Sequence, residues 1–414
     1  MALFSSVAEK AKVASRILAA TGAQERTDAL YALSEISEAE FSAILAANRD
    51  DLADAQAAGL DEVRLGIMTL APNDCGSIRD VFRRIAAQND LLGQCICENR
   101  IEDDLYLSRR MVPIGVVAAL FEARPSVAWE SVALCLRNAD AIILRPSRYI
   151  TRTMEALVGI LRGKLKECGL PADAVVLASG GSYEDSYALF QMERFVDVGI
   201  VRGGYAAIDA MRRHATVPVA VCGPGNCHVY IDASASYEMA ESILCNSKVA
   251  RPLACNATET ILVNEAWARS NLERLICTLQ EKGISFVGDE SSLTYGVTEL
   301  ACENDWKCEF FAPQLAVRIV PDIRVAIDHI NCYRTPHTET IISEDDANVQ
   351  LFFRDVEANA VVHNASSRLI DGGVFGFGSE MGISTGKLPW CGPIAARQLV
   401  HEKFFLHGHG NIRR

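Results

Sequence analysis

Long apolar runs are missing from this chain: none approaches the ~18 consecutive residues of a membrane-spanning helix, although half of the sequence is hydrophobic. Its start, Met1-Ala2-Leu3-Phe4-Ser5-Ser6, has neither the basic residues nor the apolar stretch of a secretory signal. Positive charge is in short supply as well. The 40 Lys and Arg stand against 53 Asp and Glu, giving a net charge of -13. Nucleic acids and anionic membrane surfaces require clustered cations and are therefore disfavoured as partners. A small anionic substrate needs only a few local arginines. Paired Cys-x-x-Cys spacings are absent despite 14 cysteines, and neither Cys95-Ile96-Cys97 nor Cys222 with Cys227 is spaced as a zinc site. Cys135, Cys168, Cys245 and Cys277 lie among helix-type apolar residues, where a thiol behaves as a small hydrophobe. The expectation is a reduced, cytoplasmic protein without a metal.

Common nucleotide signatures are missing too. No Gly-x-Gly-x-x-Gly opens a helix after a strand, and Gly376-Phe377-Gly378-Ser379-Glu380-Met381-Gly382 has a different spacing and a late position. A phosphate-binding P-loop, a zinc-protease motif, internal repeats and low-complexity tracts are likewise absent. A nucleotide must bind, if at all, by another arrangement.

What the chain does have is two alternating series. The first 90 or so residues read as helices, with Val7, Ala8, Ala11, Ala14, Ile17 and Leu18 at helical intervals. Short apolar runs then follow at Ile114–Phe121, Ala141–Leu144, Ala174–Leu177, Val196–Val201 and Val217–Val221, separated by helix-like stretches. This texture marks a parallel sheet covered on both faces. A second series runs from strand Thr260–Val263 through helix Ala266–Glu281 to strands Leu315–Val320, Glu339–Ile342 and Ala360–His363. The spacing predicts an α/β protein of two doubly wound lobes with a cleft between them, joined near Asp232–Ser236. Arg100–Val112 and the tail around Phe404–Leu406 fit neither series. Both read as arms that pair across a subunit boundary, with ordinary edge strands as the alternative.

The segment Lys248–Thr260 carries the most chemistry. A helix ends near Lys248 and a strand starts near Thr260, which leaves Cys255 on a connecting loop beside Arg251. Neighbouring cation and N–H groups favour a thiolate, and Asn256 or the Cys255 amide can donate to a developing oxyanion.

Arg251-Pro252-x-x-Cys255-Asn256-Ala257-x-Glu259-Thr260 resembles the nucleophile segment of the gamma-glutamyl phosphate reductase family, within the aldehyde dehydrogenase superfamily. Val112-Pro113-Ile114-Gly115-Val116 with Phe121-Glu122-Ala123-Arg124-Pro125, Arg202-Gly203-Gly204, His337-Thr338-Glu339 and Asn364-Ala365-Ser366-x-Arg368 agree in order, as does the C-terminal Gly408-x-Gly410-Asn411-Ile412-Arg413. The likeness spans essentially the whole chain. It implies an aldehyde dehydrogenase-like fold, with residues 1–99 and 113–232 as the cofactor-binding lobe and 233–395 as the catalytic lobe. Residues 100–112 and 396–414 then form an oligomerisation arm, which makes a homodimer or homotetramer the expectation.

It also implies that Cys255, helped by Asn256, forms a thioester from L-glutamyl 5-phosphate. A nicotinamide cofactor, NADP in preference to NAD, then reduces it to the semialdehyde of proline biosynthesis. The cofactor contacts carry over to Arg145, Ser147, Arg202, Gly203, Gly204 and Glu309, and the substrate contacts to Arg124, His337, Ser366 and Arg368. Two stretches depart from the family. Arg145-Pro146-Ser147 stands where Arg-Gly-Gly is usual, and Val221-Cys222-Gly223-Pro224-Gly225 where Glu-His-Gly-Asp-Gly is usual. In hydrolytic relatives that glutamate activates water, which a reductase does not need. Gly223-Pro224-Gly225-Asn226 also resembles the coenzyme A-acylating branch. That enzyme, or a non-catalytic paralogue with an altered loop, is the alternative reading.

Overall fold

In the computed structural model, residues 3–102 and 104–413 are described. Met1, Ala2, Asp103 and Arg414, which the expected lobe and arm ranges include, lie outside the described residues. The chain divides into two compact units. One comprises Met1–Val221, Phe375–Gly382 and Pro393–Arg414, and the other Cys222–Val374 and Ile383–Gly392.

The first unit opens with helices Ser5–Leu18, Ala23–Ser34, Glu38–Ala57, Glu62–Met68 and Asp74–Ala86. Helix Glu38–Ala57 starts at a reciprocal cap: Ser37 accepts from the Glu40 N–H while the Glu40 carboxylate accepts from the Ser37 N–H. A five-stranded sheet follows, in the order Val175–Leu177, Ala141–Pro146, Val116–Phe121, Val198–Arg202, Val219–Cys222. The pairings of Val116–Phe121 with Ala141–Pro146 and with Val198–Arg202 are parallel. Ile142, Ile143 and Leu144 are all fully buried, as an apolar strand covered on both faces requires. Helix Thr151–Glu167 supplies part of that cover, burying Met154, Leu157, Val158, Leu161 and Leu165 along one stripe.

The second unit holds a seven-stranded sheet, ordered Glu299–Leu300, Ser285–Gly288, Gln314–Val320, Thr258–Asn264, Cys227–Ile231, Thr338–Ile342, Ala360–His363. All of these pairings are parallel. The division between units therefore falls at Val221 and Cys222, ahead of the join expected near Asp232. The reason is that strand Cys227–Ile231 pairs with Thr258–Asn264 on one side and Thr338–Ile342 on the other. The later boundary also differs from the expected 395. Phe375–Gly382 belongs to the first unit, where Met381 and Gly382 exchange backbone hydrogen bonds with Ile394.

The two segments read as arms form one antiparallel sheet with a third strand. Cys95–Glu102 pairs with Leu105–Pro113, which pairs with Val400–His407. Ile101, Tyr106, Phe404 and Leu406 are exposed on it.

Candidate active site

In the second unit, helix Tyr237–Leu244 ends in a single π-turn, Cys245–Val249, before the chain turns through Arg251–Ala257 into strand Thr258–Asn264. A π-turn shifts the register of the last helical residues, and such turns recur at functional sites. Cys255 sits in this turn and is partly exposed, while Asn256 is buried. Two ties anchor the turn. Lys248 and Glu259 form an ion pair of 2.6 Å with both side chains fully buried, and Thr258 donates to the Ser247 hydroxyl at 2.7 Å. Burial pushes the Glu259 carboxyl up, to about 7, against the attraction of Lys248. The same burial pushes Lys248 down. Glu259 also accepts from the Phe310 N–H at 3.2 Å, which fixes the chain next to the buried Glu309.

The Gly223–Cys227 segment lies against the carbonyl of Cys255. Gly225 approaches it with no room for a side chain, and the Cys227 thiol donates to it at 3.6 Å. Asn226 donates to the carbonyls of Trp306 and Tyr333 at 2.8 and 2.9 Å. Beneath lies His337, fully buried, with Nδ1 3.9 Å from the Cys227 sulfur and 2.9 Å from the Thr338 hydroxyl. Burial pushes the His337 imidazole down to about 4, so it is neutral at neutral pH. Burial pushes the Glu339 carboxyl up, and it accepts from the N–H and Nδ1 of His228.

The segment 366–370 holds Asn256 at three points. Ser367 donates to the Asn256 carbonyl at 2.5 Å, Arg368 donates to Asn256 Oδ1, and Asn256 Nδ2 donates to the Ile370 carbonyl at 2.9 Å. Ser366 instead caps its own turn, accepting from the Arg368 N–H. The structure thus gathers Cys255, Asn256 and Arg368 around one turn, and it places His337 below them in the interior.

Glu309 is buried in the second unit, and the remaining expected residues lie in the first. Gly203, with φ of 159°, and Gly204 lead from strand Val198–Arg202 into helix Tyr205–His214. A Cβ on Gly204 would meet nothing within 4 Å, so there is open space beside that helix start. Arg202 donates to the Met381 carbonyl at 2.8 Å. Arg145 is nearly buried. Its Nε donates to the Ser186 hydroxyl at 2.9 Å, and its two terminal nitrogens donate to the carbonyls of Ala178 and Ser182. It therefore fastens the 178–186 segment. Ser147 caps the turn Arg148–Ile150, which leaves Arg148 exposed at the same strand end. Arg124 is partly buried, and its Nε has no hydrogen-bond partner among the described residues.

Sequence reading did not single out Arg148, Gly225, Cys227 or Ser367 as site residues, although it quoted Gly225 and Cys227 for other reasons. The order of residues along a chain does not say which side chains meet around Cys255. Among the described residues, no group of three or more His, Cys, Asp and Glu side chains can hold a metal ion. Among the described residues, no helix is long and apolar enough to cross a membrane.

No family model matches the chain. It is 37% identical over 407 residues to a gamma-glutamyl phosphate reductase of Bacillus cereus, covering 98% of each chain. It is similar to the solved structure of a gamma-glutamyl phosphate reductase from Thermotoga maritima, with 32% identity, a TM-score of 0.93 and all of both chains covered. An acetylating aldehyde dehydrogenase from Geobacillus thermoglucosidasius shares the fold at 18% identity and a TM-score of 0.72, over 99% of this chain and 97% of that one.

Proposed function

This chain belongs to the gamma-glutamyl phosphate reductase family, and from that premise we propose that it reduces L-glutamyl 5-phosphate to L-glutamate 5-semialdehyde with NADPH, in the cytoplasm, on the route to proline. The observation that carries this reading is the partly exposed Cys255, held on a turn braced from the 223–227 and 366–370 segments. The Cys255 thiolate attacks the acyl carbon, the bond to the phosphate oxygen breaks, and inorganic phosphate leaves behind a thioester. Bound NADPH supplies the hydride that reduces it. Collapse of the tetrahedral carbon releases the aldehyde and returns the sulfur as thiolate. Val221 carries no group able to activate a water, so the thioester is left for reduction.

The first unit takes the cofactor role and the second the catalytic role. The open space beside Gly204, where helix Tyr205–His214 begins, suits the dinucleotide phosphates, and Ser147, Arg202 and Glu309 are the further cofactor contacts proposed. For the ribose phosphate of NADP, the exposed Arg148 is better placed than Arg145, whose donors are already engaged. Arg124 and Arg368 take the anionic groups of the substrate. Ser366 and His337 support the turn on which the substrate lies. The antiparallel sheet with exposed Phe404 and Leu406 joins copies of the chain into a dimer or tetramer.

The test is phosphate-dependent NADP reduction with glutamate 5-semialdehyde. Cys255→Ala should lose turnover and keep nucleotide binding. Turnover that survives in Cys255→Ala overturns the reading, and a requirement for coenzyme A in place of phosphate replaces the substrate.

A further inference from the structure

Two buried side chains outside the expected site hold the peptide groups that follow the nucleophile. The Cys227 thiol donates to the Cys255 carbonyl at 3.6 Å, and the Ser367 hydroxyl donates to the Asn256 carbonyl at 2.5 Å. Neither side chain is exposed to solvent. In a trans peptide the N–H points opposite to the carbonyl. Fixing two consecutive carbonyls therefore fixes the N–H groups of Asn256 and Ala257, and with them the backbone that carries the Cys255 side chain. The Ala257 N–H is turned back onto the Ala254 carbonyl at 2.8 Å, which closes the turn.

Both donors are themselves held. The Cys227 sulfur lies 3.9 Å from His337 Nδ1, and the adjoining Asn226 is tied to two carbonyls. Ser367 begins a short turn that Ser366 caps. A donor with its own position fixed transmits that position to its acceptor.

We propose that Cys227 and Ser367 are positioning residues, which set two peptide planes of the nucleophile turn and through them the place of the Cys255 sulfur. The inference rests on Cys255 being the nucleophile. A hydroxyl is a stronger donor than a thiol, so Ser367 carries the larger share. Ser367→Ala removes the donor and leaves the Asn256 carbonyl without it. Ser367→Thr keeps a hydroxyl.

The experiment compares kcat, KM for the nucleotide, and the alkylation rate of Cys255 by iodoacetamide, followed by peptide mass. In Ser367→Ala, kcat and the alkylation rate should each fall about tenfold, because a reacting group is displaced rather than lost. KM for the nucleotide should stay unchanged, and Ser367→Thr should restore both rates. Cys227→Ala should show a smaller loss that Cys227→Ser recovers, and this pair makes the same test if Ser367→Ala does not fold. Equal rates in each alanine variant and its conservative counterpart overturn the proposal. A wild-type enzyme whose Cys255 is not protected from alkylation by substrate overturns the underlying mechanism instead.

Discussion

A Cβ placed on Gly225 would stand 1.5 Å from the carbonyl oxygen of Cys255 and 2.7 Å from its carbonyl carbon. Both contacts are with backbone, so no rotamer change relieves them. Gly225→Ala must push the Cys255 turn away from the Gly223–Cys227 segment. The expected result is a loss of kcat of about a hundredfold from displacement of the reacting group. Overpacking should also lower stability by about 1–3 kcal/mol. Steady-state kinetics with a denaturant titration measures both, and an active Gly225→Ala enzyme contradicts the packing described.

The Lys248–Glu259 pair makes a second prediction. Removing one partner leaves the other charge buried alone, which costs about 3–5 kcal/mol, whereas replacing both with apolar residues of similar size is closer to neutral. Lys248→Met should therefore destabilise far more than Lys248→Met combined with Glu259→Leu. Urea unfolding of the two variants tests this order, and equal destabilisation counts against it.

Acid sensitivity follows from His337. Burial holds its folded pKa near 4, below the ordinary value of 6.5. The unfolded chain binds the extra proton between those values, so this group's contribution to stability is full above about pH 6.5 and is lost as the pH falls toward 4. The slope it adds is at most about 1.4 kcal/mol per pH unit. Glu259 and Glu339, both pushed up by burial, act in the opposite sense, so the test is a difference. His337→Gln should flatten the decline in stability between pH 6.5 and 4 relative to wild type. Parallel profiles would falsify the assignment.

Arg145 and Arg148 should separate by phenotype. Arg145→Ala cuts the tie to the 178–186 segment and should lower thermal stability whether or not nucleotide is present. Arg148→Ala should fold normally, bind NADP about tenfold more weakly and leave NAD binding nearly unchanged, since a charge-assisted contact to phosphate is worth about 1.5–3 kcal/mol. Calorimetric titration with each nucleotide distinguishes them. A uniform loss for both nucleotides in Arg148→Ala removes it from the ribose phosphate.

The exposed strand face gives a fifth prediction. Phe404→Glu with Leu406→Lys places charge on strand Val400–His407 and should dissociate the proposed oligomer without unfolding either unit. Sedimentation velocity reports the change, and a wild-type chain that sediments as a monomer ends the idea.

Periodicity is a local property, and so the sequence alone marked several of the helices and most of the apolar strands, including Ile114–Phe121 and Leu315–Val320, within a few residues of their observed limits. It also singled out Cys255, through its place on a loop between two α/β series and the resemblance of its segment to the family's. Tertiary structure decided the rest. Strand Cys227–Ile231 belongs to the second sheet because of partners that follow it by dozens of residues. Arg145 and Arg148 are alike as letters, yet one meets acceptors in the 178–186 segment and the other faces solvent. Ser367 reaches the Asn256 carbonyl from 111 positions away. Hydrogen bonds and burial depend on distance in space, and only folding brings such residues together.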